Sequence, residues 1–179
     1  ALHILVDEYG LNFSKRKITV STSGLVPEII RFGKEAAPRI RVNLAISLNG
    51  TTDEMRSSTM PINRVHNLEK LFEALKSYPL ESNRRITFEY ILMRGLNDTR
   101  EDGVRLVELL KKVPSKINLI PYNELPGSPY QRPTDSEVLS FQQRLLDKGI
   151  TATVRISRGR DVFAACGMLN TAFLKDRVS

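Results

Sequence analysis

Cysteine is almost missing from this 179-residue chain: Cys166 stands alone. One thiol excludes an internal disulfide and fits a reducing compartment, so a cytoplasmic location is expected. It also excludes a site assembled from several thiolates of this chain. Histidine is nearly as scarce. His3 and His66 have no partners at metal-ligand spacing, so no metal site is expected. No run of eighteen apolar residues occurs, which excludes a membrane-spanning helix. No Gly-x-Gly-x-x-Gly follows the first strand-like run, and no Gly-Lys-Ser/Thr loop appears, so dinucleotide and nucleoside-triphosphate fingerprints are both lacking. Nor does a Ser/His/Asp arrangement stand out. Ala1 to Tyr9 carry no signal-peptide charge pattern and read as the back half of a helix. The chain is therefore expected to be cut from something longer.

What is present suits a folded domain, or a large part of one. Hydrophobic residues make up 41% of the chain, enough for a core, and charged residues 26%. Lys and Arg number 27 against 20 Asp and Glu, a net charge of +7. That excess favours a polyanionic partner such as RNA. Part of it is clustered, at Lys15-Arg16-Lys17, Arg39 with Arg41, Arg84-Arg85, Lys111-Lys112 and Arg155 to Arg160.

Strand and helix patterns alternate along the whole chain. Lys17 to Ser21 is a β-branched run that ends in the turn Thr22-Ser23-Gly24. Pro27 suits the first position of a helix carrying Ile29, Ile30 and Phe32. Val42 to Leu48 is nearly continuous in apolar residues, the mark of a strand covered on both faces. Asp53 to Ser58 predicts a short helix. Asn67 caps a longer one, with Leu68, Leu71, Phe72 and Leu75 on one face. Arg85 to Leu92 and Lys116 to Ile120 are further strands. Thr99 caps the helix between them, running to Lys112. Thr134 and Glu137 have capping-box spacing before a helix with Val138, Phe141, Leu145 and Leu146. Thr151 to Ile156 closes the series, with Ala152, Val154 and Ile156 on one face and Thr151, Thr153 and Arg155 on the other.

Five strands alternating with helices imply a parallel α/β sheet with right-handed crossovers. A doubly wound sheet and a (β/α) barrel both satisfy the pattern. In a barrel the working residues stand at the carboxyl ends of strands. Polar groups fall at each of those ends: Ser21 and Ser23; Ser47 and Asn49; Glu89; Tyr122 and Asn123; and the Arg158 to Cys166 segment. The serines either bind a ligand or satisfy their turns. Ser47 and Asn49, two apart, project to one side if the strand continues. Glu89, inside an apolar strand, either faces a polar barrel interior or pairs with a base such as Arg85 or Arg155, and pairing is the expectation. Tyr122 and Tyr130 either stack on a base or pack their own loop. Ala164, Ala165 and Gly167 leave space around the Cys166 sulfur. Arg155, Arg158 and Arg160 put positive charge near it in sequence, which favours the nucleophilic thiolate.

Several stretches, taken in order, carry a resemblance. They are Ser14 to Gly24, Leu44 to Leu48, Met60-Pro61-Ile62-Asn63, Ile86 to Tyr90, Lys116 to Asn123, Pro126-Gly127 and Ala164-Ala165-Cys166-Gly167. Together they resemble the radical SAM RNA adenine methyltransferase family. The Arg-Gly-x-Asp approach to the cysteine looks more like the branch that methylates adenine C2 than the branch that acts at C8. The resemblance covers almost the whole chain and implies a partial (β/α) barrel of radical SAM type, with residues 1–179 forming the C-terminal portion of a catalytic domain.

The resemblance also implies a site. Ser21, Ser47, Leu48 and Asn123 match positions that contact S-adenosylmethionine, and Asn49 lies where some members have histidine. Cys166 matches the cysteine that becomes S-methylated on the way to adenosine C2 of ribosomal and transfer RNA. Met168 stands where many members have glutamine. The family's chemistry needs the thiol because adenine C2 is electrophilic in character and cannot itself attack a methyl sulfonium. One S-adenosylmethionine methylates the cysteine. A second, cleaved at a [4Fe-4S] cluster, activates that methyl group for addition to the base.

The chain also lacks parts of the family pattern. It has no Cys-x-x-x-Cys-x-x-Cys, no second cysteine to release the product, and no Gly-Glu-Pro segment. A fragment is expected, with the cluster ligands upstream of Ala1. In isolation it is expected to hold no iron–sulfur cluster and to methylate no RNA. The competing expectation is a non-catalytic RNA-binding module or a degenerate paralogue.

Overall fold

The computed structural model describes residues 1–124 and 127–155. Cys166, Arg158, Arg160, Met168 and Ile156 lie outside the described residues. The chain begins with helix α1 (Leu2–Val6), a 3-10 turn at Lys15–Lys17, strand β1 (Thr19–Thr22), helix α2 (Val26–Glu35) and helix α3 (Ala37–Ile40). Strand β2 (Asn43–Ser47), helix α4 (Asp53–Thr59), a second 3-10 turn at Pro61–Arg64 and helix α5 (Leu68–Lys76) follow. The remainder is β3 (Ile86–Leu92), α6 (Arg100–Leu110), β4 (Ser115–Pro121), α7 (Asp135–Leu146) and β5 (Ala152–Val154).

The strands form one sheet in the order β1-β2-β3-β4-β5, and every neighbouring pair is parallel. This order decides between the two architectures left open above. A doubly wound sheet reverses direction at a switch point and puts helices on both faces. A sheet whose strands lie in chain order, joined by right-handed crossovers, keeps its helices on one face, as a barrel does. The sheet is therefore barrel-like and open.

Side-chain burial shows the same asymmetry. In β3, Ile86, Phe88, Tyr90 and Leu92 are buried, whereas Thr87, Glu89 and Ile91 are half-buried. Phe88 stacks on Phe72 of α5 with ring centroids 5.5 Å apart, and Tyr90 stacks on Phe141 of α7 at 6.3 Å. Phe88 and Tyr90 are two apart and share a face, so α5 and α7 cover the same side of the sheet. Leu44, Ile46, Ile117 and Leu119 join them in one core. Because Thr87, Glu89, Lys116 and Asn118 alternate with the core residues, leaving only Ile91 and Ile120 apolar on that side, β3 and β4 lack the continuous second apolar face usual in buried parallel strands.

The caps expected from the sequence are made. Asn67 accepts from Lys70 N, and Thr99 and Thr134 both form reciprocal capping boxes, with Asp102 and Glu137 respectively. Asp102 is the partner that the sequence reading did not identify. Helix α3 was not expected either. It is a single turn whose last residues lead into Arg41 at φ 56°, a left-handed step that redirects the chain into β2. No helix among the described residues is long and apolar enough to cross a membrane.

Candidate functional site

The face of the sheet away from α5 and α7 carries a polar row. Ser47 is in register with Glu89, Glu89 with Asn118, and Asn118 with Thr153. Parallel pairing aligns residues of one parity, so all four side chains stand on the face away from the helices. Thr153 Oγ1 donates to Asn118 Oδ1 at 3.3 Å. Ser21, paired with Ala45, belongs to the same face one step nearer the amino end. Among the described residues the hydroxyls of Ser21 and Ser47 and the carboxylate of Glu89 have no side-chain hydrogen bond or ion pair. The expected pairing of Glu89 is not made: Arg85 Nη1 instead donates to Thr151 Oγ1 at 2.7 Å. Arg85 immediately precedes β3 and lies four residues from Glu89, two pleat repeats or about 13 Å along the strand, too far to pair with it.

Interlocking polar contacts fix the carboxyl ends of the strands to one another. Arg56, on α4, is wholly buried. It donates from Nε to Leu48 O at 3.1 Å and from Nη2 to Ser23 O at 2.6 Å and Ser47 O at 3.2 Å. β1 is thereby tied to β2. Asn97, also wholly buried, ties β2 to β3. Its Nδ2 donates to Asn49 O at 3.1 Å and Ile91 O at 2.7 Å, and its Oδ1 accepts from Met93 N at 2.8 Å. Tyr90 Oη donates to Asn97 O at 2.9 Å. Burial raises the Tyr90 phenol far above its ordinary pKa, with Asp102 adding to the effect, so the phenol stays a donor. Past β4, Arg132 Nη1 donates to Tyr122 O at 3.3 Å.

The residues singled out from sequence fall into two groups. Ser21, Ser47 and Asn123 lie toward or just beyond the carboxyl ends of β1, β2 and β4, with β3 between them; Ser47 and Asn123 are half-buried and Ser21 is exposed. Leu48 and Asn49 turn into the protein. Leu48 is fully buried and its N–H donates to Glu89 O at 2.9 Å. Asn49 adopts φ 52° instead of prolonging the strand, so its side chain does not project beside Ser47. Its Oδ1 accepts from Ile91 N at 3.0 Å and its Nδ2 reaches Met60 Sδ at 3.4 Å. Asparagine tolerates this left-handed backbone better than most residues. Cys166 lies outside the described residues. Tyr122 and Tyr130 pack edge to face at 6.0 Å, and Tyr122 Oη bonds Ser128 Oγ at 2.7 Å, so they brace their own loop. Among the described residues no group of His, Cys, Asp or Glu has the arrangement of a metal site.

Comparison with known proteins accounts for this arrangement. No family model matches the chain. Curated relatives do. A protein of Anaeromyxobacter sp. (strain Fw109-5), named dual-specificity RNA methyltransferase RlmN, is 53% identical over 169 residues, which cover 94% of this chain and 44% of the relative. A protein of the same name from Dinoroseobacter shibae is 46% identical over 180 residues, covering all of this chain and 45% of the relative. A radical SAM methyltransferase of Sphaerobacter thermophilus, solved by crystallography, superposes with a TM-score of 0.83 at 45% identity, over 92% of this chain and 47% of that one. The chain belongs to the RlmN family of radical SAM methyltransferases. It spans about half the length of the curated relatives it matches. A domain of the pyruvate-formate lyase-activating enzyme from Bacteroides vulgatus matches with a TM-score of 0.56 at 20% identity, a likeness of fold alone.

Proposed function

We propose that this chain is the C-terminal part of a radical SAM enzyme that methylates adenosine C2 in ribosomal and transfer RNA, through an S-methylcysteine formed at Cys166. The observation that carries the reading is the pair of uncommitted hydroxyls, Ser21 and Ser47, on the open face near the carboxyl ends of adjacent strands. They stand in a chain about half identical to proteins named for RNA methylation. S-adenosylmethionine offers ribose hydroxyls, a carboxylate and an amine, groups that serine hydroxyls and an asparagine amide can meet with paired donors and acceptors. Ser21, Ser47 and Asn123 are the residues assigned to hold it by side chain. Leu48 and Asn49 are assigned to shape the floor of the same site. When bound, S-adenosylmethionine supplies the methyl group.

The chain's own part is to orient that ligand and to present a thiolate. Cys166 carries the methyl group as a thioether, and Arg155, Arg158 and Arg160, close to it in sequence, favour the thiolate form that accepts it. A [4Fe-4S] cluster does not fit this chain, which has one cysteine in all. Its ligands are assigned to the remainder of the full-length protein, and the chain alone is inactive. The basic excess supplies phosphate contacts to the RNA. The cytoplasm is the assigned compartment.

Mass spectrometry of the full-length protein tests the reading. A methyl group on the Cys166 peptide is expected, with methyl transfer to RNA. A thiol that is never modified would overturn it in favour of an RNA-binding module without chemistry. Anaerobic reconstitution of the isolated chain is expected to leave it without stoichiometric iron and sulfide.

A further inference from the structure

Arg56 is hard to explain as a stabilising residue. A guanidinium withdrawn from water costs several kcal/mol on the order usual for buried ions, and an apolar side chain of like volume is often as stable or more so. Among the described residues no carboxylate bonds it directly. Its Nη1 donates to Asn63 Oδ1 at 2.9 Å, and Asn63 Nδ2 passes the connection on to Asp53 Oδ1 at 3.0 Å. Burial lowers the Arg56 pKa, while the charge of Asp53 opposes that change.

The surroundings make room for it. Gly24 and Gly50 follow the ends of β1 and β2. A Cβ built on Gly24 would stand 2.7 Å from Arg56 Nη2, at a backbone φ of +102°. One on Gly50 would stand 2.6 Å from Arg56 N and 2.8 Å from its Cα. Two glycines on neighbouring strands thus leave clearance for one residue. Both contacts are closer than real side chains approach, and at Gly50 the obstruction is backbone that cannot swing aside.

What Arg56 does touch is the main chain of the candidate ligand site. Its fork grips Ser23 O, Ser47 O and Leu48 O together. Ser47 carries one of the two hydroxyls that have no partner among the described residues, and Ser23 lies two residues beyond the other, Ser21. We infer that Arg56 is a positioning residue for S-adenosylmethionine: it sets the spacing between the β1 and β2 ends, and so between the Ser21 and Ser47 hydroxyls. Asn63 orients the fork. This gives a role to Asn63 of the Met60-Pro61-Ile62-Asn63 run, in which Met60 Sδ also meets Asn49 Nδ2 at 3.4 Å. The inference rests on the reading above that these serines hold S-adenosylmethionine.

Lysine separates geometry from charge, because it keeps the cation but presents a point charge in place of a planar fork. In the full-length protein, calorimetry with S-adenosylmethionine is expected to give a Kd raised roughly tenfold or more for Arg56→Lys, as for other residues that orient a ligand's direct partners. RNA affinity, measured by filter binding, is expected to stay within about twofold, because the phosphate contacts are untouched. Gly50→Ala keeps Arg56 and its charge but displaces it, and the same selective loss is expected. It also serves as the test if Arg56→Lys fails to fold, which thermal melting reports. Folded Arg56→Lys or Gly50→Ala protein that binds S-adenosylmethionine within about twofold of wild type would overturn the inference. So would equal losses of S-adenosylmethionine and RNA affinity. Wild-type full-length protein that binds no S-adenosylmethionine would overturn the underlying reading instead.

Discussion

The two faces of the sheet obey different rules. On the covered face Phe88 and Tyr90 meet the rings of Phe72 and Phe141, and every β3 position there is apolar and buried. On the open face, one residue away along the same strand, Glu89 stands with Ser47 and Asn118 as its lateral neighbours. Both faces share one backbone and differ only by parity. Stability is therefore concentrated on one side and ligand chemistry on the other, and adjacent residues of β3 are expected to respond oppositely to substitution.

The largest contrast is expected from that strand. Phe88→Ala removes a fully buried ring and leaves a cavity, costing about 3–5 kcal/mol in urea or thermal unfolding. Glu89→Ala is expected to change stability by no more than about 0.5 kcal/mol, as at a site without a structural partner. Similar losses for the two would erase the distinction between faces. Asn97→Ala sharpens it at the strand ends. The change leaves Met93 N and the carbonyls of Asn49 and Ile91 without their partner, at a cost of about 2 kcal/mol by the same unfolding measurement.

Smaller effects belong to the helix starts that hold the covered face. Thr134→Ala removes the α7 cap and is expected to cost about 1 kcal/mol. Glu137 gives a pH signature. The backbone N–H and hydroxyl of Thr134, at 2.7 and 2.9 Å, hold its carboxyl below the ordinary glutamate pKa, with Arg94 adding to the effect. A depressed folded-state pKa means that the contribution is complete above the unfolded value of about 4.3 and disappears as pH falls through the folded value. The stability advantage of wild type over Glu137→Gln is therefore expected to be constant near neutrality and to shrink in acid. Melting temperatures across that range check it.

Much of this was legible in the sequence. The alternation in Thr151 to Ile156 reports two unlike faces, because successive side chains in a strand point to opposite sides, and Ala152 is buried where Thr153 is exposed. The caps Asn67, Thr99 and Thr134 were legible because capping is local chemistry. The order of strands in the sheet was not, since both parallel architectures share one alternation pattern. Arg56 was hidden for a different reason. It lies in a short polar helix, and nothing in the pattern of Asp53 to Thr59 distinguishes a buried cation from a solvated one. Gly24 and Gly50, each closing a strand end, were the available signal. Asn49 misled because its distance from Ser47 was counted as strand, whereas a left-handed residue there turns the side chain inward.

Hydrogen–deuterium exchange of the full-length protein, with and without S-adenosylmethionine, tests the central claim most directly. Slower exchange is predicted in the segments containing 21–25, 47–51 and 122–123, at the carboxyl ends of β1, β2 and β4, with α5 and α7 unchanged. Protection confined to the helices, or none at the strand ends, would contradict the assignment of the open face as the ligand site.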